Sequence, residues 1–152
     1  LWQAANGRIV EQLRGHEGAI HALAYTVDST LLASAGADGT VQIWDTWKYS
    51  RVRSVRAHSA EVHGVDISSA NQMTTVSTDG TVKLWDLEGK ELKAFAGLGD
   101  WGYAVGFSAD GATVAAGSWT GDVLLWNVES GEQLAALSTN PKQAPTQVAA
   151  AK

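Results

Sequence analysis

Apolar positions fall in short runs separated by turn-forming residues, and the runs come in sets of four. In the first set Ile20, Leu23 and Tyr25 lie within 19–25, a turn at Val27-Asp28-Ser29 follows, and 31–34 is apolar and small. Asp38-Gly39 then separates this run from 41–44, and 51–56 closes the set. Asp-Gly between two apolar runs predicts a β-hairpin, because both central residues of a tight two-residue turn must tolerate positive φ. The order recurs at 62–67, 72–77, 81–86 and 91–95, with Asp79-Gly80 as the hairpin, and again at 102–107, 112–118, 122–127 and 132–137, with Asp110-Gly111 as the first turn. Helix is the competing reading of 131–137, but Gly131 and the register of the repeat both place a strand there. Upstream, Leu1-Trp2, a turn at Asn6-Gly7 and 9–13 read as the last two strands of a preceding set. Small residues on the second strands (Ala33, Ser34, Ala35; Ala115, Ala116, Gly117) predict sheets whose faces lie close together. Residues 138–152 hold both prolines and show no alternation, so they read as a disordered tail.

The recurrence has a fixed period. DGTVQIWD at 38–45 returns as DGTVKLWD at 79–86 and, altered, as TGDVLLWN at 120–127, so that Trp44, Trp85 and Trp126 are 41 residues apart. Such a period marks one supersecondary unit copied in series. With the Trp-Asp endings and the Gly15-His16 pair, it resembles the WD-repeat β-propellers over about residues 1–137. The resemblance implies an all-β fold, a partial β-propeller of four-stranded antiparallel blades. Its blades would be 15–56, 57–96 and 97–137, preceded by the last strands of another blade at 1–14. A closed ring takes about 4–8 blades. The chain therefore reads as the C-terminal fragment of a longer WD-repeat protein, with the remaining blades supplied by upstream chain or by a homo-oligomer.

Composition narrows the function classes. Hydrophobic residues make up 45% and charged residues 18%, as in an ordinary globular domain. The net charge of −5, with no basic run, gives no footprint for nucleic acid. The absence of cysteine removes disulfides, thiolate catalysis and thiolate-bound metals. No apolar run approaches the roughly 18 residues of a membrane span. Phosphate-binding loops and zinc signatures are also missing, so no cofactor is expected.

Three constellations stand out. In the family that the chain resembles, a His, a hydroxyl residue, an Asp and a Trp of each repeat form a hydrogen-bonded set; here these would be His16, Ser34, Asp38 and Trp44, then His58, Thr75, Asp79 and Trp85. Ser, His and Asp also suggest a hydrolytic triad, but a set that returns at the repeat period with a Trp partner reads as structural. The third repeat departs from the pattern: Thr120 stands in place of Asp, Ala116 in place of the hydroxyl, Asn127 ends the strand, and the 97–100 loop has no histidine. The second constellation is Trp101 and Trp119 on the loops of that repeat, which read either as a contact patch or as mutual packing. The third is the column His21, His63 and Tyr103 at equivalent places on the innermost strands, with Glu61 beside it. Residues there resemble those at the channel mouth of propellers. Two imidazoles invite a metal, but copies in successive repeats are expected to lie too far apart to share one. Trp47, in the opposite-face loop with Lys48 and Tyr49, reads either as a further contact or as a cover for the blade edge. The expected function is that of a non-catalytic scaffold for a protein or peptide partner. The alternatives are a sensor domain of a larger enzyme and a small-ligand-binding propeller.

Overall fold

A computed structural model describes residues 1–138 and holds no helix among them. Twelve strands follow one another: β1 Ile20–Tyr25, β2 Leu31–Gly36, β3 Thr40–Asp45, β4 Ser50–Arg56, β5 Val62–Ile67, β6 Gln72–Ser77, β7 Val82–Asp86, β8 Glu91–Phe95, β9 Gly102–Phe107, β10 Thr113–Ser118, β11 Asp122–Asn127 and β12 Gln133–Ser138. They form three antiparallel sheets in sequence order, β1-β2-β3-β4, β5-β6-β7-β8 and β9-β10-β11-β12. These are the blades of a propeller, and each innermost strand lies beside the next, β1 against β5 and β5 against β9. Leu1 to Arg14 hold one isolated bridge, Trp2 to Ile9. Ser138, placed at the start of the tail by the sequence, ends β12, and 139–152 lie outside the described residues.

Two apolar cores lie between successive sheets. Ala33, Ala35, Val41 and Val55 of the first sheet meet Val62, Val65, Ile67, Met73 and Trp85 of the second. Val76, Val82, Leu84 and Phe95 of the second meet Val114, Ala116, Leu124 and Trp126 of the third. The tightest approach is at an innermost strand: a Cβ added at Gly102, the first residue of β9, would fall 2.1 Å from Val76 Cγ2 of the second sheet. The two outward faces are open. Ile20, Leu23 and Tyr25 are 50%, 60% and 50% exposed, whereas their counterparts Val62, Val65 and Ile67 are buried against the first sheet. The difference in burial follows the neighbours: Val62, Val65 and Ile67 pack against the first sheet, whereas Ile20 and Leu23 meet only the 1–14 segment, whose Leu1 and Leu13 line a cavity with them.

The Asp-Gly hairpins differ from the two-residue form that the sequence suggests. Only the glycines have positive φ, Gly39 at 76° and Gly80 at 79°. Gly39 N–H donates to the Gly36 carbonyl, and Gly80 N–H to that of Ser77. Each loop is therefore a type I turn closed by a left-handed glycine. Asp at the residue before the glycine keeps an ordinary backbone, and its carboxylate folds back over the loop to accept from Thr40 N–H or Thr81 N–H.

Candidate functional site: the loop rim and its fasteners

The two predicted hydrogen-bonded sets are closed. In the first blade Trp44 Nε1–H donates to Ser34 Oγ at 2.8 Å, His16 Nε2 lies 2.8 Å from the same oxygen, and His16 Nδ1 lies 3.0 Å from Asp38. In the second, Trp85 Nε1–H donates to Thr75 Oγ1 at 2.9 Å, His58 Nε2 is 2.8 Å from that oxygen, and His58 Nδ1 is 3.2 Å from Asp79. One proton order satisfies every atom: indole N–H to hydroxyl, hydroxyl O–H to Nε2, and Nδ1–H to carboxylate. Asp38 and Asp79 also accept the backbone N–H of Glu17 and of Ser59, which ties the loop before the inner strand to the hairpin. The sequence reading missed Thr40 and Thr81, whose hydroxyls donate to Asp38 at 2.7 Å and Asp79 at 2.6 Å. The signal was present in the repeated Asp-Gly-Thr.

Electrostatics follows from this packing. Burial works against ionisation of Asp79, but the Thr81 hydroxyl, the His58 imidazole and two backbone N–H groups more than offset it and hold its pKa at about 2. Asp38 is depressed further, against the cost of its burial, by the N–H of Glu17 and the hydroxyl and N–H of Thr40. Burial lowers the pKa of His58, and the Asp79 charge only partly opposes it.

The third blade solves the same problem differently. With Ala116 at the hydroxyl position, Trp126 Nε1–H donates to the Ala96 carbonyl at 3.0 Å, so its indole is tied to the loop before the inner strand without any intermediary. Thr120 and Asp122 make a local hydroxyl–carboxylate contact at 3.3 Å in the hairpin.

The column His21, His63 and Tyr103 owes its placement to β-bulges. In the β1–β2 pair the register shifts between Ile20 and Ala22, in β5–β6 between Val62 and Gly64, and in β9–β10 opposite Gly117 and Ser118. The extra residue is His21, His63 and Tyr103 in turn, and a bulge re-aims the side chain it carries. Here the three rings form a stack across the blades. The centroids of His21 and His63 are 4.4 Å apart with planes 15° from parallel, and those of His63 and Tyr103 are 4.6 Å apart. Trp119 extends the row, 5.6 Å from Tyr103. Glu61 Oε2 lies 3.1 Å from His21 Nε2 and 3.6 Å from His63 Nε2. The expected wide separation of the two imidazoles is thus overturned, because neighbouring inner strands converge and both bulges point the same way. Burial, with the adjacent His21 charge, lowers the pKa of His63 against the pull of Glu61.

Trp101 and Trp119 are 52% and 67% exposed. Their loops are joined by Trp119 N–H to the Trp101 carbonyl, and the Trp119 ring leans on Tyr103. Trp101 borders a cleft of about 380 Å³ lined also by Thr78, Asp79, Gly80, Gly99 and Asp100. Trp47 is 79% exposed in the β3–β4 loop, at the other end of the strands.

The family model described as "WD domain, G-beta repeat" matches residues 7–45, 49–86 and 103–127. The chain belongs to the WD-repeat family. Its WD repeats are offset from its sheets: the first two matches each begin before an innermost strand and end with the Trp-Asp of a third strand, so the second begins on the outer strand of the preceding blade. Among curated WD-repeat relatives, the small ribosomal subunit protein RACK1y of Oryza sativa subsp. japonica is 32% identical, over 84% of this chain and 40% of that protein. Autophagy-related protein 16 of Arabidopsis thaliana is 29% identical, over 88% of this chain and 27% of that protein. The chain thus spans less than half the length of these relatives. Of solved structures, that of U3-55K superimposes with a TM-score of 0.81 at 22% identity, covering 85% of this chain and 42% of that one, which establishes the shared propeller fold.

Proposed function

We propose that the chain is a non-catalytic interaction platform that holds a protein or peptide partner against the rim formed by Trp101, Trp119, Tyr103, His63, His21 and Glu61. The observation that carries this reading is the continuous row of four rings, drawn from three blades, that stays accessible although each blade has apolar faces in which a ring could be buried. Exposed aromatic side chains with polar tips are enriched where partners bind, because they offer large area at small entropic cost. The carboxylate and imidazoles beside them supply direction.

The Ser-His-Asp and Thr-His-Asp sets argue against chemistry. Ser34 is 2% exposed and Thr75 fully buried, and each hydroxyl is engaged by both an indole and an imidazole. Neither hydroxyl is left free to act as a nucleophile while the indole and the imidazole hold it. These sets act as fasteners that keep the rim rigid, so that little ordering entropy is lost on binding.

The test compares Trp119→Ala with Trp47→Ala, a control at the opposite end, by quantitative affinity capture from the cells that express the protein. Trp119→Ala is expected to lose the captured partner while its melting temperature holds, and Trp47→Ala to retain it. Equal capture by both variants, or a fall in melting temperature that accounts for the loss, contradicts the reading.

A further inference from the structure

We propose that His21, Glu61 and His63 form a three-ligand site for a divalent transition-metal ion, zinc being the best match, at the junction of the first two blades. One donor atom from each residue lies within 4.8 Å of the others. The two donor separations involving Glu61 are more telling. Ligands at about 2.0–2.1 Å from a tetrahedral ion stand about 3.3 Å from one another, and the carboxylate oxygen lies 3.1 Å from His21 Nε2 and 3.6 Å from His63 Nε2. Glu61 thus stands at ligand-like distances from both imidazole nitrogens, whereas the two rings, 15° from parallel with centroids 4.4 Å apart, do not aim their lone pairs at one point. The remaining adjustment is a turn of the stacked imidazoles about χ2, so that both lone pairs converge on one point.

The donor set selects the ion. Two imidazoles and one carboxylate are borderline ligands suited to zinc, and they disfavour magnesium and calcium, which prefer all-oxygen shells. The surroundings suit a site built to keep its shape: bulges fix the backbone at both histidines, and Tyr103 packs on the His63 ring. The three side chains retain 24%, 51% and 17% of their accessible surface for His21, Glu61 and His63, so an ion has a path in and its fourth position faces solvent. Glu61 is itself a ligand, which leaves the cluster no general base for hydrolysis. The ion's chemistry is therefore to lock two blades together at the rim and to offer one exchangeable coordination position, to water or to a partner's side chain.

This inference shares residues with the interaction reading but does not depend on it, because metal binding is measured on the chain alone. Zinc chloride is titrated into the 152-residue chain by calorimetry while the imidazole signals of its four histidines are followed by NMR. Cobalt(II) is used in parallel to read the coordination geometry. The expected result is one ion per chain at micromolar affinity, the visible absorption of a tetrahedral cobalt site, and shifts confined to His21 and His63 while His16 and His58 stay put. His63→Ala is expected to weaken zinc at least about 100-fold, since loss of a direct ligand exceeds the 10–100-fold typical of a lost supporting contact, and Glu61→Gln about 10-fold or more, because the amide keeps an oxygen at that position without the charge. The wild-type NMR titration stands even if a variant fails to fold. Absence of zinc binding, zinc held equally by a His21→Ala/His63→Ala double variant, or shifts centred on His16 or His58 each overturns the proposal.

Discussion

A hydroxyl group is the pivot of each complete blade. Thr75 Oγ1 takes the Trp85 indole N–H and meets His58, so that a third strand, a second strand and an entry loop are joined through one buried oxygen. Buried polar groups gain little when paired and cost much when orphaned, so the network's importance lies in what its breakage leaves behind. Asp79→Ala strips acceptors from His58 Nδ1 and from the N–H groups of Ser59 and Thr81. It is expected to destabilise the chain by about 1–3 kcal/mol in a denaturant melt; an unchanged midpoint would refute the fastener role. Acid should act in the same direction. Asp79 has a folded pKa of about 2 against 3.8 unfolded, so the stability it contributes is present above 3.8 and is lost as pH falls from there towards 2. His58 is harder to protonate folded than unfolded, so below about 6.5 the unfolded chain takes up the proton first and stability begins to fall there. The melting temperature is therefore expected to decline in two stages on acidification, and a profile that rises below pH 6.5 would contradict these assignments. The members of these sets were legible through the resemblance to the WD-repeat family, whose pattern these residues match in two successive repeats. The carbonyl of Ala96 that holds Trp126 was not, since a backbone acceptor has no residue type to betray it.

Among the elements, the strands were legible because alternation agrees across three copies and Asp-Gly punctuation of the same hairpin across two. What the pattern left out is the local irregularity that aims side chains. The sequence puts His21, His63 and Tyr103 at equivalent positions, but nothing in their neighbours announces that each is the odd residue of a bulge. Without the bulges, strict alternation would turn each of these side chains to one face of its sheet. With them, three strands deliver their rings to one rim, and Glu61, one residue before β5, falls between two imidazoles. The hairpins teach a related lesson. Asp-Gly correctly marked the first two turns, whose carboxylates capture the Thr40 and Thr81 N–H groups from an ordinary φ, but the turn type itself goes with the left-handed glycine that all three blades share. The third blade, lacking that carboxylate, keeps the same backbone hydrogen bond, from Gly121 N–H to the Ser118 carbonyl.

For the whole molecule, rigidity and recognition are, on the proposed reading, assigned to different residues. The middle blade is covered on both faces, whereas the outer two each present one open apolar face, marked at one end by Leu23 and Tyr25. The family was readable from the repeat, but the fold hosts many tasks. The proposed function therefore rests on the side chains that leave the repeat's common plan, those of the rim at Trp101 and Trp119. Hydrogen–deuterium exchange of the partner-bound chain against the free chain tests this division most directly. Protection is predicted at 61–63, 101–103 and 118–120, with the fastener strands β2 and β6 unchanged. Protection centred instead on the 46–49 loop or on the outer strands β4 and β8, with the rim exchanging as before, would contradict the account.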